Sequence, residues 1–185
     1  MKLLSLLWNT FHFMVKLTKN HQKIILFLGD YPTKEFFSKE IAGKLNISLG
    51  GTHNALKYLT KEKILEVEPR GNMKFYRIND ENPLVKQLKT TAVVEKLLPV
   101  IKEIKHDSKE IILFGSACRG EQTSGSDIDL FILTHLPADI KKIMDKYQKK
   151  LLLKPIIKTP NQLSELEIKE SEFYHEVRQG IKLLW

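Results

Sequence analysis

The sequence has little cysteine, no long uninterrupted apolar run and no internal repeats. Cys118 is the single cysteine of the 185 residues, which excludes an internal disulfide and fits a reducing, cytoplasmic compartment. The six histidines are scattered without the spacing of zinc ligands. The apolar stretch at the start is interrupted by Asn9, Thr10, His12 and Lys16, so it is too short and too broken to span a membrane. No membrane partner is expected.

Residues 1–19 are an uncertain N-terminal extension on which no function is predicted. One lysine precedes the apolar stretch, as in a signal peptide, but no small-residue cleavage site follows it. The stretch is typical of a docked amphipathic helix. An equally good interpretation is that translation starts at Met14.

The positive charge is concentrated in the first half of the chain. Residues 1–90 carry 15 Lys and Arg against 8 Asp and Glu, a net +7, whereas residues 91–185 carry 15 against 14, a net +1. This asymmetry favours an acidic partner for the first half. A solvated, lysine-rich surface without such a partner is the alternative.

Residues 20–82 predict a small helical domain that ends in a hairpin. Gly29-Asp30 ends the first helix, Thr33 or Ser38 caps the second, and a turn at 69–73 joins two strands. The predicted elements are a helix over His21–Leu28, a helix through Ile41 and Leu45, a helix over Leu49–Lys61, and strands over Ile64–Glu68 and Lys74–Ile78.

This order of elements resembles the winged helix-turn-helix of MarR- and ArsR-like regulators. In that geometry the third helix enters the major groove of double-stranded DNA, and the wing reaches the backbone or minor groove. The resemblance implies DNA contacts from Thr52, His53, Asn54 and Lys57 on the third helix and from Arg70 on the wing. Winged helices also serve as protein-docking modules, which is the alternative.

A connecting helix is predicted over residues 83–103, and a second domain over residues 104–185. Asn82-Pro83 is typical of a helix cap followed by the first helical residue, and Pro99 predicts a kink or a restart. Beyond the central motif, the pattern predicts a helix over Pro137–Leu151, a strand over Leu152–Lys158 with an edge position for Pro155, a helix over Asn161–Arg178, and a last strand or tail over Ile181–Trp185.

The central motif lies between two predicted strands, Ile111–Phe114 and Asp127–Leu133. Because side chains on a strand repeat every two residues, Asp127 and Asp129 share one face. Two neighbouring carboxylates repel each other unless a cation lies between them, and hard divalent ions such as Mg2+ prefer oxygen ligands. The Gly115-Ser116 turn offers backbone N–H groups and a hydroxyl to an anion. These parts together indicate in-line transfer from a nucleoside triphosphate.

The residues of this motif resemble the nucleotidyltransferase fold of the DNA polymerase β superfamily, in particular its minimal nucleotidyltransferase branch. The Gly115-Ser116 pair, the Arg119-Gly120 pair and the Ser126-Asp127-Ile128-Asp129 string all match. The resemblance implies that Gly115 and Ser116 hold the β and γ phosphates, Arg119 neutralises them and Ser126 supports the loop. It also implies that Asp127 and Asp129 bind Mg2+ or Mn2+ and that the substrate is an NTP, with ATP expected.

The chain departs from that family at the third carboxylate, which usually lies on the next strand. Residues 152–158 contain no acid, and Lys154 or Pro155 occupies the expected position. Glu165 or Glu167 from the following helix is an alternative source of the carboxylate. Loss of a metal ligand lowers catalysis while leaving nucleotide binding measurable.

The expected fold class is therefore α+β: a winged helix-turn-helix followed by a polymerase β-like domain with a mixed sheet flanked by helices. One hypothesis is a metal-dependent nucleotidyltransferase that moves NMP to a hydroxyl acceptor. The acceptor is open between a protein tyrosine, a small molecule and a nucleic acid. Minimal nucleotidyltransferases often accompany HEPN proteins in toxin–antitoxin pairs, so by analogy a HEPN-type protein partner is expected. The alternative is a transcription regulator with a catalytically degenerate nucleotide-binding domain. The sequence leaves a homodimer open.

Overall fold

The computed structural model describes residues 17–184, so the predictions for residues 1–16 lie outside the described residues. Helices in this part of the chain are α1 (Lys19–Gly29), α2 (Ser38–Leu45), α3 (Leu49–Lys61), α4 (Pro83–Ile104), α5 (Gly115–Arg119), α6 (Pro137–Leu151), α7 (Pro160–Lys169) and α8 (Ser171–Arg178). The strands are β1 (Phe36–Phe37), β2 (Leu65–Arg70), β3 (Met73–Ile78), β4 (Ser108–Phe114), β5 (Ile128–Thr134), β6 (Leu153–Lys158) and β7 (Ile181–Lys182). None of the helices within residues 17–184 is long and apolar enough to cross a membrane.

The first three helices and a three-stranded antiparallel sheet form a winged helix-turn-helix, as predicted. The sheet has the order β1-β3-β2, and β2 and β3 form the wing hairpin, which turns at Gly71 with a φ of +59°. Helix α3 has the predicted bounds. Its apolar face packs on α1 and α2 in a core that includes Ile24, Leu28, Ile41 and Leu56, all fully buried. Because only this face of α3 is buried, the opposite face of the helix is exposed to solvent.

The predicted cap of the second helix is wrong. Neither Thr33 nor Ser38 caps α2, because Phe37 occupies the N-cap position and Ser38 is already helical. A phenylalanine side chain has no hydrogen-bond acceptor. The Glu40 carboxylate instead accepts a hydrogen bond from the Phe37 backbone N–H at 3.0 Å, which satisfies one of the free donors at the helix start.

Helix α4 runs without interruption through both halves of the chain. Asn82 caps it, with its side chain accepting a hydrogen bond from Leu84 N at 2.9 Å, as predicted. Pro99 lies inside the helix and does not restart it. Val85 belongs to the core of the winged helix, whereas Leu97 belongs to the core of the second domain. One helix therefore contributes to two hydrophobic cores.

The second domain contains a mixed four-stranded sheet of order β6-β5-β4-β7, flanked by helices as predicted. The β5–β6 pair is parallel, and the β4–β5 and β4–β7 pairs are antiparallel. Strand β6, which contains Pro155, lies at an edge, as predicted for a strand with a proline. One face of the sheet packs on α4 and α6, and the other carries the cluster formed with α7 and α8.

The last predicted helix is two helices in the structure. The chain breaks at Glu170, which has a φ of −132°, between α7 and α8. Helix α7 packs on β5, whereas α8 packs on β4. No glycine or proline marks the break, so the tertiary contacts of the two segments with different strands decide it.

Candidate functional site

Asp129 is the second residue of β5, an inner strand of the sheet, and Gly115 of the predicted motif lies beside it. In the strand register it pairs with Phe114 of β4 on one side and with Lys154 of β6 on the other. Phe114 leads directly into Gly115, the first residue of α5. The predicted glycine turn at the end of β4 therefore lies next to the predicted carboxylate at the start of the adjacent strand β5.

Gly115 makes the closest approach to this carboxylate. Its φ is +69°, a conformation that glycine adopts without steric cost. A Cβ atom at this position would lie 2.6 Å from Asp129 Oδ2. A Cβ atom at this position would require the end of the Asp129 side chain to move.

Asp127 lies next to Asp129 but outside the paired strand. Strand β5 begins at Ile128 rather than at Asp127, since Ile128 is the first residue with a pairing partner in β6. Asp127 is exposed and Asp129 is half-buried. Burial raises the pKa of Asp129, Lys154 opposes that rise, and the negative charges of Asp127 and Glu176 add to it. A cation bound between the two aspartates would therefore reduce the repulsion between their negative charges.

Sequence reasoning missed Glu176, because its position depends on α8 being a separate helix packed on β4. Its charge acts on Asp129, but it is exposed and does not complete a metal cluster. Within residues 17–184, no group of three or more His, Cys, Asp or Glu side chains is arranged to hold a metal ion. Lys154 occupies the position beside Asp129 where the third carboxylate is expected, and Glu165 pairs with Lys169 on α7 at 3.4 Å.

Arg119 and Ser126 are engaged in local contacts at the two ends of the loop between α5 and β5. Arg119 Nε donates a hydrogen bond to Glu121 Oε2 at 2.8 Å, and both side chains are about half exposed. Ser126 Oγ accepts a hydrogen bond from Thr123 N at 2.9 Å and so closes the loop just before Asp127. Ser126 therefore supports this loop through a contact with Thr123.

Cys118 is a structural residue of α5. Its thiol donates a hydrogen bond to Gly115 O at 3.2 Å, and burial raises its pKa. Because the thiolate is the reactive form, this environment does not favour a nucleophile.

The residues predicted to face DNA are not all on the outside of α3. Thr52 is fully buried, and its hydroxyl donates a hydrogen bond to Ser48 O at 3.0 Å, so the prediction that it contacts DNA is wrong. It lies three and four residues before Ala55 and Leu56, on the same buried face of the helix. This spacing was visible in the sequence.

The exposed side of α3 and the wing form a basic groove. His53, Asn54 and Lys57 are exposed, as predicted. A groove of about 420 Å³ is lined by His53 and Lys57 from α3 and by Lys74 and Tyr76 from the wing. Lys74 was missed from the sequence, because only strand pairing places it opposite α3.

Arg70 lies on the wing as predicted, but its charge is already neutralised. Its guanidinium is 2.7 Å from both Glu35 and Glu68, and it lies over the ring of Phe75 at 4.9 Å from the ring centre. Contact with a phosphate would require Arg70 to leave these acidic partners.

The segment that contains Gly115 and Asp129 is also the segment that matches a known protein family. Residues 94–180 match the model of the nucleotidyltransferase domain. The match covers just under half of the chain and includes all of the motif from Gly115 to Asp129. Residues 94–180, which follow the winged helix, are therefore similar to a nucleotidyltransferase domain. A search of curated proteins found no match.

Several solved structures of regulators resemble this chain over about half of its length. ZitR from Lactococcus lactis is 25% identical, with 50% of this chain and 63% of the ZitR chain covered and a TM-score of 0.39. AdcR from Streptococcus pyogenes is 22% identical, with 58% of this chain and 82% of the AdcR chain covered and a TM-score of 0.39. The chain thus spans less than two thirds of ZitR, and TM-scores this low decide neither fold nor function.

Proposed function

We propose that this protein is a metal-dependent nucleotidyltransferase tethered to a DNA-binding winged helix. The observation that carries this proposal is the contact between Gly115 and Asp129 inside a segment that matches the nucleotidyltransferase domain. In the reaction, the acceptor hydroxyl oxygen forms a bond to the α-phosphorus of an NTP. The bond from that phosphorus to pyrophosphate breaks, and the acceptor's proton passes to solvent.

Asp127 and Asp129 fit a divalent cation by their chemistry. Mg2+ is usually bound in such sites by one or two carboxylates together with phosphate oxygens and water, and these two residues supply the carboxylates. A bound Mg2+ or Mn2+ would neutralise charge on the triphosphate and hold the reacting oxygens. Burial is the main cause of the raised pKa of Asp129, and the negative charge of Asp127 adds to it; a cation between the two carboxylates would offset that repulsion.

Gly115, Ser116 and Lys154 provide the contacts for the triphosphate in this proposal. The backbone at Gly115-Ser116 starts α5 beside Asp129, so its N–H groups are available to phosphate oxygens. Lys154 is exposed and lies beside Asp129 in the neighbouring strand. A lysine there attracts a phosphate as a point charge but does not bind Mg2+.

The winged helix supplies the proposed DNA contact. His53, Lys57 and Lys74 line one groove between α3 and the wing, and the first half of the chain holds most of the net positive charge. Lysines in such a groove contact phosphates and release counterions, which favours double-stranded DNA.

A second candidate function is a winged-helix transcription regulator whose nucleotidyltransferase domain binds nucleotide without turnover. Lys154, in place of the third carboxylate, favours it. In either function, the base preference for ATP, a homodimer, and a HEPN-type partner in a toxin–antitoxin pair are further proposals that follow from the family resemblance alone.

Calorimetric titration of ATP and the other NTPs with and without Mg2+ tests the nucleotide site. We expect Mg2+-dependent binding that is lost in Asp127→Asn/Asp129→Asn and retained in Asp139→Asn, an exposed aspartate on α6. Absence of binding to any NTP under any metal condition would overturn the nucleotidyltransferase proposal.

Two further measurements separate the enzyme from the regulator. Transfer of label from α-labelled NTP to a protein or nucleic acid acceptor, lost in the double variant, supports the enzyme. Nucleotide binding without transfer, together with specific DNA retention that survives Asp127→Asn/Asp129→Asn, supports the regulator.

A further inference from the structure

A cleft of about 320 Å³ lies between the two domains, and it shares Ser126 with the loop of the candidate nucleotide site. Its walls come from the end of α1, from α4, from the loop at 122–126 and from the turn between α6 and β6. Ile128 lines this cleft, and its neighbour Asp129 points to the other face of the sheet because side chains on a strand alternate. The cleft, hereafter the interdomain cleft, therefore opens on the face of the sheet opposite to Asp129.

The interdomain cleft carries an excess of positive charge. Lys89, Lys96 and Lys150 line it, together with the single acid Asp30. Lys89 is matched by Asp80, whose Oδ1 lies 3.1 Å from its Nζ. Neither Lys96 nor Lys150 is within ion-pair distance of a carboxylate among residues 17 to 184, although the charge of Lys96 acts on Asp30 and lowers its pKa against the effect of burial. Lys96 and Lys150 together outweigh the single carboxylate of Asp30, so the net positive charge of the cleft favours an anionic ligand.

The remaining lining is divided into an apolar side and a polar side. Leu26, Val93 and Leu151 offer an aliphatic surface, and Thr123 and Ser124 offer hydroxyl groups. Gln122 donates a hydrogen bond through Nε2 to Lys89 O at 3.1 Å, whereas its Oε1 has no partner within the described part of the chain. An unsatisfied acceptor in a binding wall favours a ligand that brings its own donor.

We propose that the interdomain cleft binds a small phosphorylated organic molecule of about the size of a nucleoside monophosphate. The phosphate pairs with Lys96 and Lys150, the apolar part rests on Leu26 and Val93, and hydroxyl or amino groups meet the polar loop. The cleft volume lies at the lower end of the range for small-molecule sites, about 300 Å³ and above.

A ligand in this cleft would contact both domains at once. Ser124 N donates a hydrogen bond to Asp30 O at 2.9 Å, which joins the loop to the end of α1. The same loop continues through Ser126 to Asp127. Occupancy of the cleft therefore biases the loop that leads to the aspartates, and by linkage the two sites affect each other's affinity equally.

The test is calorimetric titration of the full chain with AMP, UMP, adenosine and inorganic phosphate in EDTA. We expect saturable binding of at least one monophosphate, weaker binding of inorganic phosphate and weakest binding of adenosine. Asp127→Asn/Asp129→Asn should retain this binding, which separates the cleft from the nucleotide site.

Charge reversal and a steric block locate the site. Lys96→Glu/Lys150→Glu should weaken binding by about tenfold or more, as expected for lost hydrogen bonds to a charged group. Lys149→Glu, an exposed neighbour that does not line the cleft, should leave binding unchanged. Leu26→Trp keeps the lysines and should block binding by bulk. The proposal is overturned if neither monophosphate binds, if phosphate alone binds as tightly as the monophosphates, or if both cleft variants bind as the wild type does.

Discussion

At the scale of single residues, the candidate nucleotide site depends on one glycine and one carboxylate. Gly115 has a positive φ, and a Cβ atom there would require the Asp129 carboxylate to move. Gly71 in the wing turn has a similar φ of +59°, but a Cβ there would meet nothing within 4 Å. The two glycines therefore allow backbone strain to be separated from steric conflict.

We expect Gly115→Ala to destabilise the fold by about 1–3 kcal/mol, because it adds a steric conflict with Asp129 to the cost of a positive φ. Gly71→Ala carries only the backbone cost of about 1 kcal/mol. Urea unfolding of both variants measures the difference. Equal losses of stability in the two variants would show that the conflict at Asp129 is relieved without cost.

The second prediction at this scale concerns pH. Metal-dependent nucleotide binding requires ionised Asp129, and burial raises the pKa of this carboxyl while Lys154 lowers it. Binding should therefore fall as pH decreases, with a midpoint above the ordinary pKa of aspartate. Lys154→Met removes the opposing charge and should move the midpoint to higher pH.

Titration of Mg2+-dependent ATP affinity against pH checks this shift. Lys158→Met, four residues further along β6, serves as the matched control and should leave the midpoint in place. A midpoint that stays the same or moves to lower pH in Lys154→Met would contradict the electrostatic role of Lys154.

At the scale of elements, helix α3 and the wing together form the candidate DNA surface. Helix α3 presents His53 and Lys57, and strand β3 presents Lys74 to the same groove. Thr52 faces the core instead, which shifts the candidate DNA surface toward the wing. Arg70 at the tip is held by two acids and is the weakest candidate on this surface.

We expect Lys57→Ala and Lys74→Ala each to weaken DNA binding and to reduce the slope of log affinity against log salt by about 1, since each removes one phosphate contact. Filter binding or fluorescence anisotropy at several salt concentrations measures the slope. Lys142→Ala, an exposed lysine on α6, should leave both affinity and slope unchanged. Unaltered slopes in both wing and helix variants would favour a protein-docking role for the winged helix.

At the scale of the whole molecule, α4 unites the two domains. Its first turns belong to the core of the winged helix and its later turns to the core under the sheet. Thr90 Oγ1 donates to Cys118 O at 3.3 Å, and Gly120 lies so close to Lys86 O that a Cβ would be 2.2 Å away. These contacts predict that the two domains unfold together.

We expect a single unfolding transition for the wild type and two for Thr91→Pro. Thr91 is exposed in the middle of α4, so proline there breaks the helix without removing a core side chain, at a cost of about 3 kcal/mol. Differential scanning calorimetry measures the number of transitions, and Thr91→Ala should retain one. A single transition in Thr91→Pro would show that the loop contacts alone hold the domains together.

The local pattern of residues was enough to predict most elements and the central motif. Helix bounds such as Leu49–Lys61 and Pro137–Leu151 follow from apolar spacing and breakers, which act within a few residues. The family resemblance implied that Gly115 and Asp129 belong to one site, and it is the pairing of β4 with β5 that brings them together.

Tertiary structure decided the features that depend on residues far apart in the sequence. It placed Lys154 beside Asp129, brought Glu176 near the aspartates, set Lys74 opposite α3 and divided the last helix at Glu170. The interdomain cleft also depends on residues far apart in the sequence, since its lysines come from α4 and α6 and its polar wall comes from a loop. Strand pairing and packing between elements fix such neighbours, and no local pattern contains that information.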